Sequence, residues 1–120
     1  MTNDYISNKQ IIKDILCDVT YASAYWVASI NTDIPTSKLT GDSREEKWFD
    51  CVDKGGHLII TTIYPDFDND KQVFYISYKD LSKAASTVRK FQHYKDTSSW
   101  DGMFADNILQ IACFDEVVYG

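Results

Sequence analysis

The sixteen residues Ala105-Asp-Asn-Ile-Leu-Gln-Ile-Ala-Cys-Phe-Asp-Glu-Val-Val-Tyr-Gly120 decide the fold that this sequence predicts. Their apolar residues recur at helical spacing as far as Cys113, and a short apolar strand follows at 116–119. A terminal segment frays unless it is tied down. We therefore expect this last strand to pair within a sheet, with the preceding helix packed beside it.

The same periodicity, followed outward from this segment, predicts the other elements. Capping boxes at Ser7–Gln10 and Ser43–Glu46 begin two helices, and Gly55-Gly56 ends the second of them. The predicted elements that precede residue 116 are helix 8–24, strand 25–30, a helix from Ser43 to Gly55, strand 57–64, strand 72–77, helix 79–95 and helix 102–113.

This order, α-β-α-β-β-α-α-β, predicts an α+β fold in a single domain, residues 1–120. We expect a four-stranded, mostly antiparallel sheet with about four helices on one face. In strand 57–64 the residues on both faces of the strand are apolar, which is typical of a strand that is covered on both sides. We therefore predict a homodimer or a higher homo-oligomer, with Trp26 or Trp48 at or near the contact between chains.

Composition restricts the classes of partner. The chain has 120 residues, of which 44% are hydrophobic and 14% aromatic, so it is long and apolar enough to form one core. Its net charge of −6 makes duplex nucleic acid a poor partner, because cationic contacts to phosphate supply most non-specific affinity. The sequence shows no secretory signal, no membrane-spanning run and no CxxC pair among its three cysteines. We expect a cytoplasmic protein with reduced thiols.

The residues that could support catalysis or metal binding do not form a recognisable motif. Asp66, Asp68 and Asp70 have the spacing of an EF-hand loop but lack its glycine and its final glutamate, so a hairpin turn explains them. His57 and His93 have no cysteine or carboxylate at ligand spacing. A cysteine–histidine nucleophile pair is not excluded by the sequence, but nothing favours it. We predict no cofactor, no metal and no enzymatic activity.

Two groups of residues are candidates for ligand binding. Tyr25 and Trp26 are adjacent rings, and in a strand they would point to opposite faces, one into the core and one toward solvent, a partner or a ligand. Arg44, Lys47 and Trp48 lie within about one turn at the start of the second helix, which suits a phosphate beside a stacked base. Each of these residues also has an ordinary alternative, as a core ring or a surface ion pair.

Asp106 and Gln110 form a third candidate, because their i, i+4 spacing places both on one face of the last helix. Gln110 stands among apolar residues, so its amide needs hydrogen-bond partners. A strand backbone or the amide or base edge of a ligand could supply them.

Three patches resemble a large group of small phage and prophage proteins of low-GC Gram-positive bacteria. They are Ile15-Leu-Cys-Asp-Val-Thr-Tyr-Ala-Ser-Ala-Tyr-Trp26, Gly55-Gly-His-Leu-Ile-Ile-Thr61 and the segment 105–120. Many members have two glycines before the Tyr-Trp pair and a glycine near the end of the last helix, where this chain has Ala22-Ser23 and Asp115. The resemblance implies no enzyme motif and no agreed functional residues.

Small phage proteins outside the virion are often anti-defence factors, and some act as sponges for nucleotide immune signals of Thoeris or CBASS type. Our leading hypothesis is therefore a protein that sequesters an adenine-containing signal, such as a cyclic ADP-ribose isomer or an ADP-ribose conjugate. Trp26 or Trp48 would stack on the base, and Arg44 with Lys47 would hold the pyrophosphate. Asp106 and Gln110 would contact ribose hydroxyls or the base edge.

Two alternatives belong to other classes. An acidic inhibitor could occupy the basic cleft of a host defence protein, such as a CRISPR effector, through carboxylates gathered on one face. A hydrolase that degrades the signal is the weaker alternative, since the spacing of His57 and His93 offers neither a metal cluster nor an acid–base pair.

Overall fold

The structure, a computed structural model, describes residues 8–65, 71–92 and 102–118. The helices and strands in these ranges are α1 (Asn8–Ala22), β1 (Val27–Thr32), α2 (Arg44–Asp53), β2 (Leu58–Pro65), β3 (Lys71–Ile76), α3 (Tyr78–Gln92) and α4 (Gly102–Phe114), with a short 3-10 helix at Thr36–Lys38. The predicted α+β class is confirmed, as is the order of the first seven predicted elements. None of the described helices is both long and apolar enough to span a membrane.

Within the described residues the sheet has three antiparallel strands in the order β1-β2-β3, rather than the predicted four. Residues 116–118 do not form the predicted strand, and residue 119 lies outside the described residues. The backbone N–H of Val118 instead donates to Oε1 of Gln110 at 2.8 Å. The side-chain amide of Gln110 on α4 thus accepts the backbone N–H that we expected to form a hydrogen bond within the sheet.

The core lies between the inner face of the sheet and the helices. The aliphatic side chains of α1 that recur at helical spacing are fully buried, and so are Leu58 and Ile60 of β2. Phe114 at the end of α4 joins helix to sheet, because its ring lies 5.5 Å from the Trp26 ring and 4.8 Å from the Phe74 ring, centroid to centroid. The last helix therefore closes the core, as its apolar sequence predicts.

The outer face of the sheet is not covered by any described helix, and three of its apolar side chains are exposed. Ile63 is 40% exposed, Val73 49% and Tyr75 61%. This matches the open face expected for helices on one side only, and self-association through it stays a prediction. Trp26 and Trp48 are buried in the core of the chain, and their expected place near a contact between chains also stays a prediction.

The sequence signals at both ends of α2 are confirmed. The Ser43 hydroxyl accepts the Glu46 backbone N–H at 3.2 Å, which is one of the two bonds of a capping box, while the Glu46 carboxylate accepts the Asp42 N–H at 3.3 Å. At the other end Gly55 adopts φ of 91°, and the N–H of Gly56 reaches the Cys51 carbonyl at 2.9 Å. The first predicted capping box includes Ser7, which lies outside the described residues, as does the predicted 66–70 turn.

The start of β1 is two residues later than predicted, because residues 23–26 form a turn. The backbone N–H groups of Trp26 and Val27 both donate to the Ser23 carbonyl, at 3.1 Å and 2.9 Å. Tyr25 and Trp26 therefore do not alternate across a strand. The turn directs Trp26 into the core and leaves Tyr25 44% exposed beside α4.

The end of α4 uses a non-glycine residue in a left-handed conformation. Asp115 has φ of 64°, and its N–H donates to the Ile111 carbonyl at 2.9 Å. Left-handed backbone costs an L-residue free energy because its Cβ approaches the carbonyl oxygen, although aspartate tolerates it better than most. Glycine avoids that contact, which explains its frequency at this helix position.

Replacing Asp115 with glycine is therefore expected to raise the free energy of unfolding by about 0.5 kcal/mol, after the greater flexibility of the unfolded glycine chain is deducted. The matched variant Asp115→Ala keeps the Cβ without the polar side chain and is expected to lower stability by a similar amount. Urea unfolding of the three proteins measures both effects. Equal stability of the glycine and alanine variants would contradict the backbone explanation.

Candidate functional site

The structure divides the seven predicted ligand-binding residues into two separate clusters. One, which we call the carboxyl network, contains Tyr25, Trp26, Asp106 and Gln110. The other contains Arg44, Lys47 and Trp48 and lines an open groove between α2 and β1, which we call the β1 groove. These two clusters have different chemical character.

The carboxyl network is centred on Asp106, whose side chain accepts four hydrogen bonds while the residue is only 7% exposed. Oδ1 accepts the Ser23 hydroxyl at 2.8 Å and the Trp26 indole N–H at 2.6 Å. Oδ2 accepts the Tyr25 hydroxyl at 2.5 Å and the Gln110 amide at 2.9 Å. Each oxygen thus has two donors, which is the capacity of a carboxylate oxygen.

Gln110 extends this network to the end of the described chain. Its Nε2 also lies 3.1 Å from the Tyr25 hydroxyl, and its Oε1 accepts the Val118 N–H. The partner of this buried amide is thus partly a backbone, which is one of the two possibilities that the sequence left open. Burial, followed by the hydrogen bond to Asp106 and its charge, raises the pKa of Tyr25 to about 12.

These bonds give the carboxyl network a structural role. Trp26 and Gln110 are fully buried, so neither presents a surface to a ligand. Ser23 was not among the predicted residues, and its hydroxyl is the donor that the sequence reasoning missed. The only feature of the sequence that pointed to Ser23 was its position, two residues before an aromatic pair at the end of an apolar helix.

The β1 groove has a volume of about 680 Å³ and carries cationic side chains without any carboxylate. This is unusual for a chain with 18 acidic and 12 basic residues. Its walls are the end of α1, the edge of β1, the 3-10 segment and the first turns of α2. The lining residues are Thr20, Ala24, Val27, Ala28, Ser29, Ile30, Asn31, Thr32, Ile34, Pro35, Thr36, Arg44, Lys47 and Trp48.

Arg44 is the more exposed cation of the groove. Its guanidinium carbon lies 5.5 Å from the centre of the Trp48 ring, within the range of a cation–π contact. Its Nε also pairs with Glu45 Oε1 at 3.2 Å, which compensates part of its charge. Trp48 itself is 7% exposed, so most of the ring belongs to the core rather than to a stacking surface.

The N-terminus of α2 is already occupied by the protein's own side chains. Ser43 accepts the Glu46 N–H, and a hydrogen bond from its own backbone, followed by bonds from Arg44 and Thr20, lowers the pKa of Glu45. Both Glu45 and Glu46 stand in the first turn. A phosphate in the β1 groove would therefore meet Arg44 and Lys47 rather than free helix amides, which differs from the sequence-based expectation.

A third cluster joins residues that the sequence did not connect. Asp33 Oδ2 lies 2.8 Å from Nδ1 of His57, and Asp33 Oδ1 accepts the His57 backbone N–H at 2.7 Å. The Cys51 thiol donates to the His57 carbonyl at 3.4 Å and lies 3.6 Å from Asp33 Oδ1. The hydrogen bond from the His57 backbone is the main cause that lowers the pKa of Asp33.

This cluster does not form a nucleophile pair. The Cys51 thiol is directed at oxygen atoms rather than at the His57 ring, and burial is the largest effect that raises its pKa. Burial likewise raises the pKa of Cys113 to about 12 and that of Cys17 above its ordinary value. Among the residues that the structure describes, no three His, Cys, Asp or Glu side chains are grouped as a metal ion would require.

No protein-family model, no curated protein and no solved structure matches this chain.

Replacing Asp106 with asparagine is expected to lower the free energy of unfolding by about 3 kcal/mol or more. An amide cannot accept four hydrogen bonds, and its NH₂ group would face two of the present donors. Asp53→Asn, an exposed residue of α2, is the matched control and should change stability by less than about 0.5 kcal/mol. Thermal and urea unfolding measure the difference, and equal losses in the two variants would disprove the structural role of the carboxyl network.

Proposed function

We propose that this protein is a phage-encoded binding protein that sequesters a small nucleotide-type anion in the β1 groove without cleaving it. The ligand class remains the one expected from the sequence, an adenine-containing immune signal such as a cyclic ADP-ribose isomer or an ADP-ribose conjugate. The phage origin and the role against host defence rest on the resemblance of the three sequence patches. The location of the site rests on the groove.

The observation that carries this proposal is the charge of the groove. The lining contains Arg44 and Lys47 and no acidic residue, although the Glu45 carboxylate beside it bonds both Arg44 and the lining residue Thr20. Two cations on one wall of a concave site can hold adjoining phosphates, with Arg44 offering a planar fork and Lys47 a mobile point charge. A volume of about 680 Å³ falls within the range of small-molecule sites.

The described geometry restricts the proposed site to fewer residues than the sequence suggested. Arg44, Lys47 and the accessible edge of Trp48 are retained. Tyr25, Trp26, Asp106 and Gln110 are left out, because their polar atoms already satisfy one another. Affinity would then come from phosphate contacts and enclosure, rather than from an indole stacked on each base.

Retention without cleavage is supported by the state of the nearest reactive groups. Desolvation holds the pKa of each cysteine thiol above its ordinary value, which lowers the fraction of nucleophilic thiolate. Asp33 and His57, the one carboxylate–histidine pair among the described residues, do not line the groove. Apart from the amine of Lys47, the lining side chains carry no group that ordinarily serves as a general acid or base.

The double variant Arg44→Gln, Lys47→Gln tests the site. It is expected to weaken binding of ADP-ribose or cyclic ADP-ribose at least about tenfold, because each lost charge-assisted hydrogen bond is worth about 1.5–3 kcal/mol when buried and less in an open groove. Lys83→Gln, an exposed lysine of α3, is the matched control. Isothermal calorimetry measures affinity, and recovery of intact ligand after denaturation checks that nothing is cleaved.

Two results would count against the proposal. The proposed function would be wrong if the wild-type protein, at micromolar concentration, bound none of a panel of cyclic nucleotides and ADP-ribose isomers. If the double variant and the Lys83→Gln control bound the ligand with equal affinity, the binding site would not be the β1 groove.

A second function, an acidic inhibitor of a basic host protein, is favoured by one specific observation. The carboxylates of Asp14, Asp18, Glu45 and Glu46 lie close enough to Cys17 for their charges to raise its pKa, after the larger effect of burial. These four carboxylates on α1 and α2 lie near the exposed Cys17 thiol, and one of them, Glu45, is paired with Arg44. This acidic patch is the kind of one-sided surface that a mimic of nucleic acid requires.

The patch is tested by capture of host proteins on the immobilised chain at about 50 mM and at about 500 mM salt, because surface charge contacts are screened at high ionic strength. We expect the wild-type chain to capture a specific partner at low salt but not at high salt. The double variant Asp14→Asn, Asp18→Asn is expected not to capture this partner at either salt concentration. Asp53→Asn is the control for charge alone. A captured partner that resists salt and both substitutions would exclude mimicry by this patch.

A further inference from the structure

The free edge of β1 lies along the proposed ligand groove. We propose that its backbone, chiefly the Ile30 carbonyl and the Thr32 N–H, recognises an adenine base whose phosphates are held by Arg44 and Lys47. This inference rests on the proposed function and adds to it the identity and orientation of the base. It replaces the earlier expectation that Asp106 and Gln110 contact the base edge.

β1 is an edge strand. In the described residues the sheet order is β1-β2-β3, so β1 pairs with β2 on one side and with no described strand on the other. An edge strand presents a row of N–H and C=O groups outward, and such groups bind any complementary partner that reaches them.

The direction of one backbone hydrogen bond shows which groups of β1 face outward. The N–H of Asp33, one residue beyond β1, donates to the His57 carbonyl at 3.1 Å and so points toward β2, while the His57 N–H donates to the Asp33 side chain. Successive residues of an antiparallel strand direct their backbone groups alternately toward and away from the neighbouring strand, so in the register Asn31 also faces β2, whereas Ile30 and Thr32 face away. The backbone N–H and C=O of Ile30 and Thr32 are therefore directed away from β2.

The outward edge of β1 lies inside the groove. A cavity against one face of a strand would be lined by alternate residues, because successive side chains point to opposite faces. This groove is instead lined by all six residues of β1, Val27–Thr32. The cavity thus runs along the edge, where the outward N–H and C=O groups are accessible to a ligand.

The outward backbone groups of β1 match the hydrogen-bonding edge of adenine. The C=O of one outward residue and the N–H of the next outward residue lie side by side on an extended strand. Adenine presents a donor, its exocyclic amino group, next to an acceptor, its ring nitrogen 1, and so complements an adjacent C=O and N–H. Guanine presents an acceptor and a donor in the reverse order, and it would have to turn over to fit.

The cations limit that freedom to turn over. When the phosphates are held at Arg44 and Lys47, the sugar has to lie on the side of the base that faces α2, so a base and its turned-over form are not equivalent at the strand. Under this proposal the strand backbone contacts the base, while the charged side chains on α2 hold its phosphates. Side-chain sequence alone does not reveal such a site, because neither backbone group depends on residue type.

The test compares three probes on the wild-type protein: ADP, an ADP analogue whose exocyclic amino group carries two methyl groups, and inorganic pyrophosphate. The dimethyl analogue keeps the charge and the ring but lacks the donor. We expect ADP to bind about tenfold more tightly than the dimethyl analogue, as for the loss of one well-made hydrogen bond. Pyrophosphate is expected to bind, more weakly than ADP, at the same two cations.

Thr32→Pro tests the strand side of the contact. Proline removes the Thr32 N–H, and an edge strand tolerates this where the N–H faces outward. We expect the variant to lose the preference for ADP over the dimethyl analogue and to keep its affinity for pyrophosphate. Thr32→Ala loses, like the proline variant, the hydrogen bond from Thr32 Oγ1 to the Ile34 carbonyl at 2.7 Å but retains the N–H, so it is expected to keep more of the preference than Thr32→Pro does. Circular dichroism checks that both variants fold.

The outcomes separate this inference from the proposed function. Equal affinity of the wild-type protein for ADP and the dimethyl analogue would overturn base recognition while leaving an anion site intact. A folded Thr32→Pro variant that keeps the full preference would also overturn it. If none of the three probes binds, the anion site itself fails, and this inference fails with it. The comparison on wild-type protein decides the matter even if the proline variant does not fold.

Discussion

The four hydrogen bonds accepted by Asp106 are the constraint on which the arrangement of this protein depends. A carboxyl group that is buried to this extent costs substantial free energy unless donors surround it. Three of its donors, Ser23, Tyr25 and Trp26, come from the turn between α1 and β1, more than 75 residues away along the chain. The carboxyl group therefore fixes where α4 lies against the start of the sheet. Apolar packing alone would allow α4 to slide along the sheet.

Local features of the sequence predicted the elements well, because their causes are local. The Ser43–Glu46 cap and the Gly55-Gly56 stop act within one turn of helix, so the bounds of α2 follow from neighbouring residues. Partners distant in sequence were not predictable in this way. Asp106 and Gln110 were correctly placed on one face of α4, but nothing in their spacing distinguishes a ligand from Tyr25 as the group they contact.

The same distinction explains which parts of the candidate site were foreseen. Arg44, Lys47 and Trp48 were predicted together because one short helix carries them, and they do line one groove. The opposite wall is β1, and its accessibility depends on strand order, which the four-stranded prediction did not determine. Asp33 and His57 were also missed as a pair, since only the register between β1 and β2 brings them together.

Both ends of β1 are held by carboxyl groups, and this connects the buried network to the groove. At the start, Trp26 donates its indole N–H to Asp106, and its carbonyl accepts the Ile63 N–H at 2.8 Å. At the end, Asp33 binds the backbone and ring of His57. An edge strand with one ladder neighbour would otherwise be free to fray. Fixed at both ends, β1 presents its outward backbone groups in one arrangement, so the ligand proposed for the groove would meet a site that is already formed and would lose less free energy in ordering it.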